Sequence, residues 1–356
     1  MSDLNLTKAA LERATATFTA IQAPRLYGRY HHLFGARRWW ILRRDYEDLW
    51  AYADTWSALC TLGSLPRQRD PLDVLHAMVR GLRSYSRVPE VLESTGDAGF
   101  ESVVTPPLGG GGDRYYDDNA WLGLALVRHH ELTGNAELLR LAQRVFSFVV
   151  SGWSTEETWQ IPGGIRWKEP ISNHSRNTCV NGPASELAAR LYEKTGNTSY
   201  LSWATRIYDW TRRALLGPEG LYVDQIAPDG TQTPTIWSYN QGSMIGAGVL
   251  LARQTGEKSF LDQAAETAAA YIVTQGVPEL TTQDPAFNAV LFRNLLMLDQ
   301  ERPDHRYRSI TAQYASNMWA SKRSQHGLFE GNGSPFHNAA AMVQIYALLA
   351  GAQPHP

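Results

Sequence analysis

A repeat of about 60 residues constrains this chain more than any other feature. HHELTGNAELLRLAQRV at 129–145, LYEKTGNTSYLSWATRI at 191–207 and LLARQTGEKSFLDQAAE at 250–266 share one pattern. In each, an apolar segment runs into Thr-Gly. Gly134, Gly196 and Gly256 can take the left-handed backbone that ends a helix. Asn135, Asn197 or Glu257 then opens a second segment. After Gly134 that segment carries Leu138, Leu141, Ala142, Val145 and Val149 on one stripe, with Glu137, Arg140, Gln143 and Arg144 off it. This is the period of a helix with one buried face. The segment before the glycine differs: Trp121, Leu122, Leu124, Ala125, Leu126 and Val127 are apolar nearly all round, as in a helix buried on most sides. Each unit therefore pairs an inner helix with an outer one.

The rest of the chain continues the scheme. An inner helix is expected at 45–62 with an outer partner at 71–84, an inner at 286–299 with an outer at 304–320, and a last inner at 335–349. A helix at about 6–21 supplies its outer partner. The sum is a single all-α domain over 1–356, six inner and six outer helices, an (α/α)6 toroid. An open solenoid is disfavoured because the loops differ and no capping repeats are evident. Strand signals are sparse, and LYVDQI at 221–226 suggests at most a short hairpin.

The links are asymmetric. Inner-to-outer turns are short, whereas the outer-to-inner links before Tyr116, Asn181 and Tyr239 are long and fall on one end of the toroid. Long ordered loops are uncommon without a function. Trp153, Trp159, Trp167 and Trp237 lie in these links, and Trp39 and Trp40 in the loop at 22–44 before the first inner helix, which places the expected site at the N-terminal ends of the inner helices.

Composition narrows the function. With 43% hydrophobic and 19% charged residues the chain can bury a large core. A net charge of −2 gives no basic footprint for nucleic acid or a membrane surface. The two cysteines, Cys60 and Cys179, have no metal-ligand spacing around them, and the adjacent pairs His31–His32 and His129–His130 suit metal ligation poorly. No cofactor or metal is expected. MSDLNLTKAALERATATF lacks a basic stretch followed by an apolar run, and no segment has the apolar length of a membrane span, so a cytoplasmic protein is expected.

The sharpest local feature is GGGGDRYYDDNAW at 109–121. A glycine run leads to two tyrosines and two adjacent aspartates where an inner helix begins. Helix capping accounts for one aspartate at such a place. It does not account for Asp117 and Asp118 together, beside Tyr115 and Tyr116, on the long-loop end. Glycoside hydrolysis does: a retaining enzyme uses two carboxyl groups about 5–5.5 Å apart, and the charge of one raises the proton affinity of the other. A magnesium-binding DDxxD motif would need an acid at Trp121, and a phosphate loop would need Lys-Ser/Thr where Asp113 follows the glycines.

RYYDDNAWLGLAL resembles the Tyr-Asp-Asp signature of glycoside hydrolase family 76, the α-1,6-mannanase family. GGIRWKEPISNHSRNTCVNGPASELAARLYEKTGN at 163–197 and LYVDQIAPDGTQTPTIWSYNQGSMIGAGVLL at 221–251 resemble two further family segments in the same order. The resemblance is strong over about 100–275. It implies an (α/α)6 toroid that cleaves α-mannosides with retention, Asp117 as nucleophile and Asp118 as acid/base. It also implies a cleft role for Asp224, sugar hydrogen bonds from Asn240, Gln241, Asn181 and Asn177, and stacking walls at Trp167 and Tyr239. Tyr116, with Tyr115, is expected to position the nucleophile or anchor its loop. The implied partner is a carbohydrate, with neither nucleic acid nor membrane. Many members act outside the cell on mannan polymers; a cytoplasmic member would trim imported or endogenous α-mannosides.

Three rivals share parts of this reading. A sugar epimerase of the N-acylglucosamine 2-epimerase type would use histidines, for which His337 and His326 are the candidates. An unsaturated glucuronyl hydrolase shares the toroid but not the paired motif. A non-catalytic carbohydrate-binding toroid would keep the aromatic residues without needing both aspartates.

Overall fold

The computed structural model describes residues 3–22, 46–88, 90–169 and 174–352. His31–His32, Trp39 and Trp40 lie outside these.

Six helices form an inner ring: α2 (Leu49–Gly63), α4 (Tyr116–Thr133), α6 (Thr178–Thr195), α8 (Ser238–Thr255), α11 (Pro285–Glu301) and α13 (Pro335–Gly351). Each packs on the next, and α13 packs on α2, so the ring closes. Outside it run α1 (Asp3–Ile21), α3 (Asp70–Gly81), α5 (Ala136–Ser151), α7 (Thr198–Leu215), α9 (Lys258–Thr274) and α12 (His305–Ser321). A single-turn α10 (Gly276–Leu280) follows α9. Helix α1 packs against α13, so the first and last helices described make the sixth pair. The expected (α/α)6 toroid is the fold observed.

The local causes are those the repeat announces. Helices α4, α6 and α8 end at Gly134, Gly196 and Gly256, with φ of 72°, 68° and 77°, where a residue with a Cβ would be strained. Asn135 and Asn197 then accept the Glu137 and Ser199 amides at 3.0 Å and start α5 and α7. Leu138, Leu141, Ala142, Val145 and Val149 form the buried face of α5. Among the described residues no helix is long and apolar enough to cross a membrane.

The long links 86–115, 152–177 and 216–237 all return to the N-terminal ends of inner helices. The last two are joined by a small antiparallel sheet, β1 (Arg176–Asn177), β2 (Gln225–Ile226) and β3 (Gln232–Thr233), with Asn177 opposite Gln225 and Gln225 opposite Thr233. The hairpin read from LYVDQI is β2–β3, and β1 joins it from the neighbouring link.

Along the barrel axis the inner helices carry charge. Glu186 of α6 is fully buried and pairs with Arg128 of α4 at 3.3 Å and Arg190 at 2.9 Å. Asn294 of α11, a helix not adjacent to α6 in the ring, reaches the same carboxylate at 3.5 Å. These contacts tie α4, α6 and α11 together inside the ring.

Candidate active site

At the N-terminal end of the ring a cavity of about 370 Å³ is lined by residues from four inner helices and the long links. Its floor is acidic: Asp48, which caps α2, and Asp117 and Asp118 in the first turn of α4. Its walls are aromatic: Trp50, Tyr115, Trp121, Trp167, Tyr239 and Phe287. Such pairing of carboxylates with flat apolar faces suits a polyhydroxylated ring, whose C–H face stacks while its hydroxyls bond to acceptors.

The link 152–177 sets Trp167 over Asp117. Gly163 and Gly164 have φ of 96° and 80°, and a Cβ on Gly164 would lie 2.4 Å from the Trp210 ring, so only glycine lets the link pass there. The extended stretch that follows, through Lys168, then meets the residues at the start of α4. The Tyr116 amide donates to the Trp167 carbonyl at 2.9 Å, and Tyr115 bridges Lys168. The Trp167 indole Nε1 donates to Asp117 Oδ2 at 2.9 Å. Cys179, near the start of α6, donates its thiol to the same oxygen at 3.3 Å. Asp117 Oδ1 accepts the Asp118 amide at 3.0 Å. Capping therefore uses one oxygen of one aspartate, as the sequence argument allowed, while three donors fix the plane of the carboxylate.

The two carboxyls ionise apart. Burial pushes Asp117 up to about 6, while the Cys179 and Trp167 donors hold it down. Asp118 is driven well above the usual carboxylate range, by burial first and then by the charges of Asp117, Asp48 and Asp54. One proton is thus shared unequally across the neutral range, mostly on Asp118.

The other residues singled out from sequence divide into two groups. Trp167 and Tyr239 line the cavity. Asp224 lies beside Cys179 and Tyr239, whose proton affinities its charge raises. Its own carboxyl is pushed up by burial and held down by the Trp237 indole.

Tyr116, Asn181, Asn240 and Gln241 do not face the cavity. Tyr116 is buried between α4 and α5, its ring 5.0 Å from Phe148, so it anchors the loop; Tyr115 is the tyrosine of the wall. Asn181 is fully buried. It accepts the Ile165 amide at 2.9 Å and donates to the Ile165 and Asn177 carbonyls at 3.1 and 2.9 Å. Gln241 does the same for Tyr222: it accepts the amide at 2.8 Å and donates to the Tyr222 and Trp237 carbonyls at 2.8 and 3.1 Å. Asn119 repeats the device on Phe100 and Tyr115. Amide side chains at the fourth position of α4, α6 and α8 thus clamp the preceding link, which consumes the hydrogen bonds expected for sugar. Asn240 is fully buried and is not part of the lining. Asn177 donates to Gln225 across the small sheet at 3.3 Å.

Sequence reading missed Asp48, Trp50, Trp121, Phe287 and Cys179. One signal could have found two of them. Asp117, Cys179, Tyr239 and Trp50 are each the second residue of an inner helix, so the register of the Asp-Asp motif transfers to the other helices. Among the described residues no group of three His, Cys, Asp or Glu is arranged to hold a metal ion.

Comparison with known proteins gives the family. The family model described as glycosyl hydrolase family 76 matches residues 100–340. The mannan endo-1,6-alpha-mannosidase DCW1 of Candida glabrata is 34% identical over 155 residues, 39% of this chain and 34% of its own length. The protein of the same name in Saccharomyces cerevisiae is 28% identical over 237 residues, 59% of this chain and 52% of its own length. The chain thus spans about a third to a half of the curated relatives it matches. Among solved structures, a family 76 mannosidase of Bacteroides thetaiotaomicron superposes with a TM-score of 0.76 at 20% identity, covering 96% of this chain and 98% of that one. An α-1,6-mannanase of Salegentibacter sp. HEL1_6, made inactive by asparagine at two consecutive aspartates and bound to α-1,6-mannotriose, superposes with a TM-score of 0.75 at 24% identity, covering 96% and 99%. The chain belongs to glycosyl hydrolase family 76.

Proposed function

From family 76 membership as the premise, we propose that this protein cleaves α-mannosidic linkages, in α-1,6-mannan or its oligosaccharides, by a retaining two-carboxylate mechanism. The observation that carries the reading is the adjacent carboxyls of Asp117 and Asp118 on the floor of an aromatic cavity, with the Trp167 and Cys179 donors on Asp117.

Each carboxyl is suited to one role. Asp118, protonated at neutral pH, gives its proton to the glycosidic oxygen as the bond from that oxygen to C1 breaks. Asp117, largely ionised above pH about 6, bonds to C1 and forms a covalent mannosyl-enzyme. The Asp118 carboxylate then takes a proton from water, whose oxygen attacks C1 and releases Asp117. Two displacements at C1 leave its configuration unchanged. Loss of the charge on Asp117 in the first step lowers the proton affinity of Asp118, which suits its change from acid to base.

The substrate class rests on the relatives: the curated ones are named mannan endo-1,6-alpha-mannosidases, and the Salegentibacter enzyme is inactive without two consecutive aspartates. An epimerase reading gains no support. His337 is buried, its Nε2 3.1 Å from Asp54 and its ring edge-on to Trp50, and His326 is exposed on the link 322–334. Proton NMR of the first product from α-1,6-mannotriose tests the mechanism. The α-anomer is expected first; early β-anomer contradicts the two-displacement route.

A further inference from the structure

We propose that Cys179 is a positioning residue for the nucleophile: its thiol acts with the Trp167 indole to keep Asp117, rather than Asp118, the ionised member of the pair. The inference deepens the reading above and rests on it for the word nucleophile; the donor geometry stands without it.

Both donors converge on Oδ2 of Asp117, the thiol at 3.3 Å and the indole at 2.9 Å. Neither can accept from a carboxylic acid as well as it donates to a carboxylate, so both favour the charged form. The thiol is buried and its proton is held tightly, since burial and the neighbouring Asp117 and Asp224 charges oppose ionisation. It therefore stays a donor over the working pH range. Its donor contact to Asp117 Oδ2 is the side-chain hydrogen bond that orients it, and Tyr239 stands beside it in the same cluster of buried groups.

The surroundings give this pair of donors its weight. From its own helix Asp117 faces Asp118. From the elements packed against it come Cys179 on α6, Tyr239 on α8 and Asp224 on the hairpin, with Asp48 and Asp54 of the α2 side beyond Asp118. These groups are acids or neutral donors. Lys168, next to Trp167, is held by Asp113 and lies over Tyr115. No ion pair with Asp117 is present among the described residues, so neutral donors decide which aspartate ionises.

The Trp167 indole reports on this directly, because its N–H bonds to the titrating oxygen. With indole-labelled protein, the Trp167 resonance, assigned by Trp167→Phe, is followed across roughly pH 4–9. Wild type should titrate near pH 6. Cys179→Ala should raise the midpoint by roughly 0.5–1 pH unit, the equivalent of one lost hydrogen bond. Cys179→Ser, which keeps a donor, should titrate at or below wild type. The acid limb of kcat/KM should move with the midpoint while KM stays constant. A Cys179→Ala midpoint equal to wild type, or equal shifts in the Ala and Ser variants, would overturn the proposal. Should Cys179→Ala fail to fold, the nearly isosteric Cys179→Val takes its place: Ser at or below wild type with Val above it is the expected order, and any other order refutes the proposal. The titration needs no substrate, so a chain that cleaves no α-mannoside would sink the functional reading while leaving this test intact.

Discussion

Replacing Asn181 with alanine separates a clamp from a sugar ligand. The side chain is fully buried and makes three hydrogen bonds, two to Ile165 and one to the Asn177 carbonyl. Each is worth about 1 kcal/mol net, and the deserted Ile165 amide and carbonyl, also fully buried, add a desolvation penalty of about 1–3 kcal/mol between them. Asn181→Ala should therefore cost about 4–6 kcal/mol, the large effect of a broken buried network. Urea denaturation followed by tryptophan fluorescence measures it. The loss should also reach the site, since Ile165 lies two residues before Trp167, whose carbonyl takes the Tyr116 amide and whose indole holds Asp117. Turnover should fall while KM changes little. A variant within about 1 kcal/mol of wild type in stability but with a raised KM would refute the clamp and restore Asn181 to the substrate site.

Three further outcomes follow from the same geometry. Activity requires Asp117 ionised, so kcat/KM should fall as pH drops through about 6 and fall again in alkali where Asp118 loses its proton; a profile flat from pH 5 to 7 would contradict the assignment. Because the native state holds the Asp118 proton more tightly than the unfolded chain, stability declines as pH rises from the ordinary carboxylate range towards the native value, and the full cost remains above it. Asp118→Asn removes that cost, so it should melt at or above wild type in alkali with the gap closing in acid, and parallel melting curves would argue against it. Tyr115→Ala should weaken kcat/KM by roughly tenfold or more through loss of a cavity wall, whereas Tyr116→Phe, on a ring packed against Phe148, should leave kinetics near wild type; the reverse order would return Tyr116 to the site.

The toroid was legible because its causes are local. Thr-Gly turns need left-handed backbone, which leaves glycine at 134, 196 and 256, and at the first two an asparagine cap follows. The all-round burial of α4 left a second signature, and so did the single stripe of α5. The Asp-Asp pair was legible because capping explains only one carboxylate at a helix start. What the sequence concealed was direction. Tyr115 and Tyr116 are adjacent, yet one faces the cavity and the other faces α5, because the chain is entering a helix between them. Asn181 and Gln241 carry the donors and acceptors a sugar would want, and long links bring their backbones to the same groups first. Cys179 drew no attention as a lone cysteine without metal spacing; its importance comes from sharing the register of Asp117 one helix along the ring.

Reducing-end release from α-1,6-linked manno-oligosaccharides, measured in parallel for wild type, Asp117→Asn and Asp118→Asn, tests the central claim most directly. Wild type should release new ends and each variant should be slower by several orders of magnitude while keeping its fold, the scale expected when a nucleophile or its acid is removed. Full activity in either variant would contradict the two-carboxylate account.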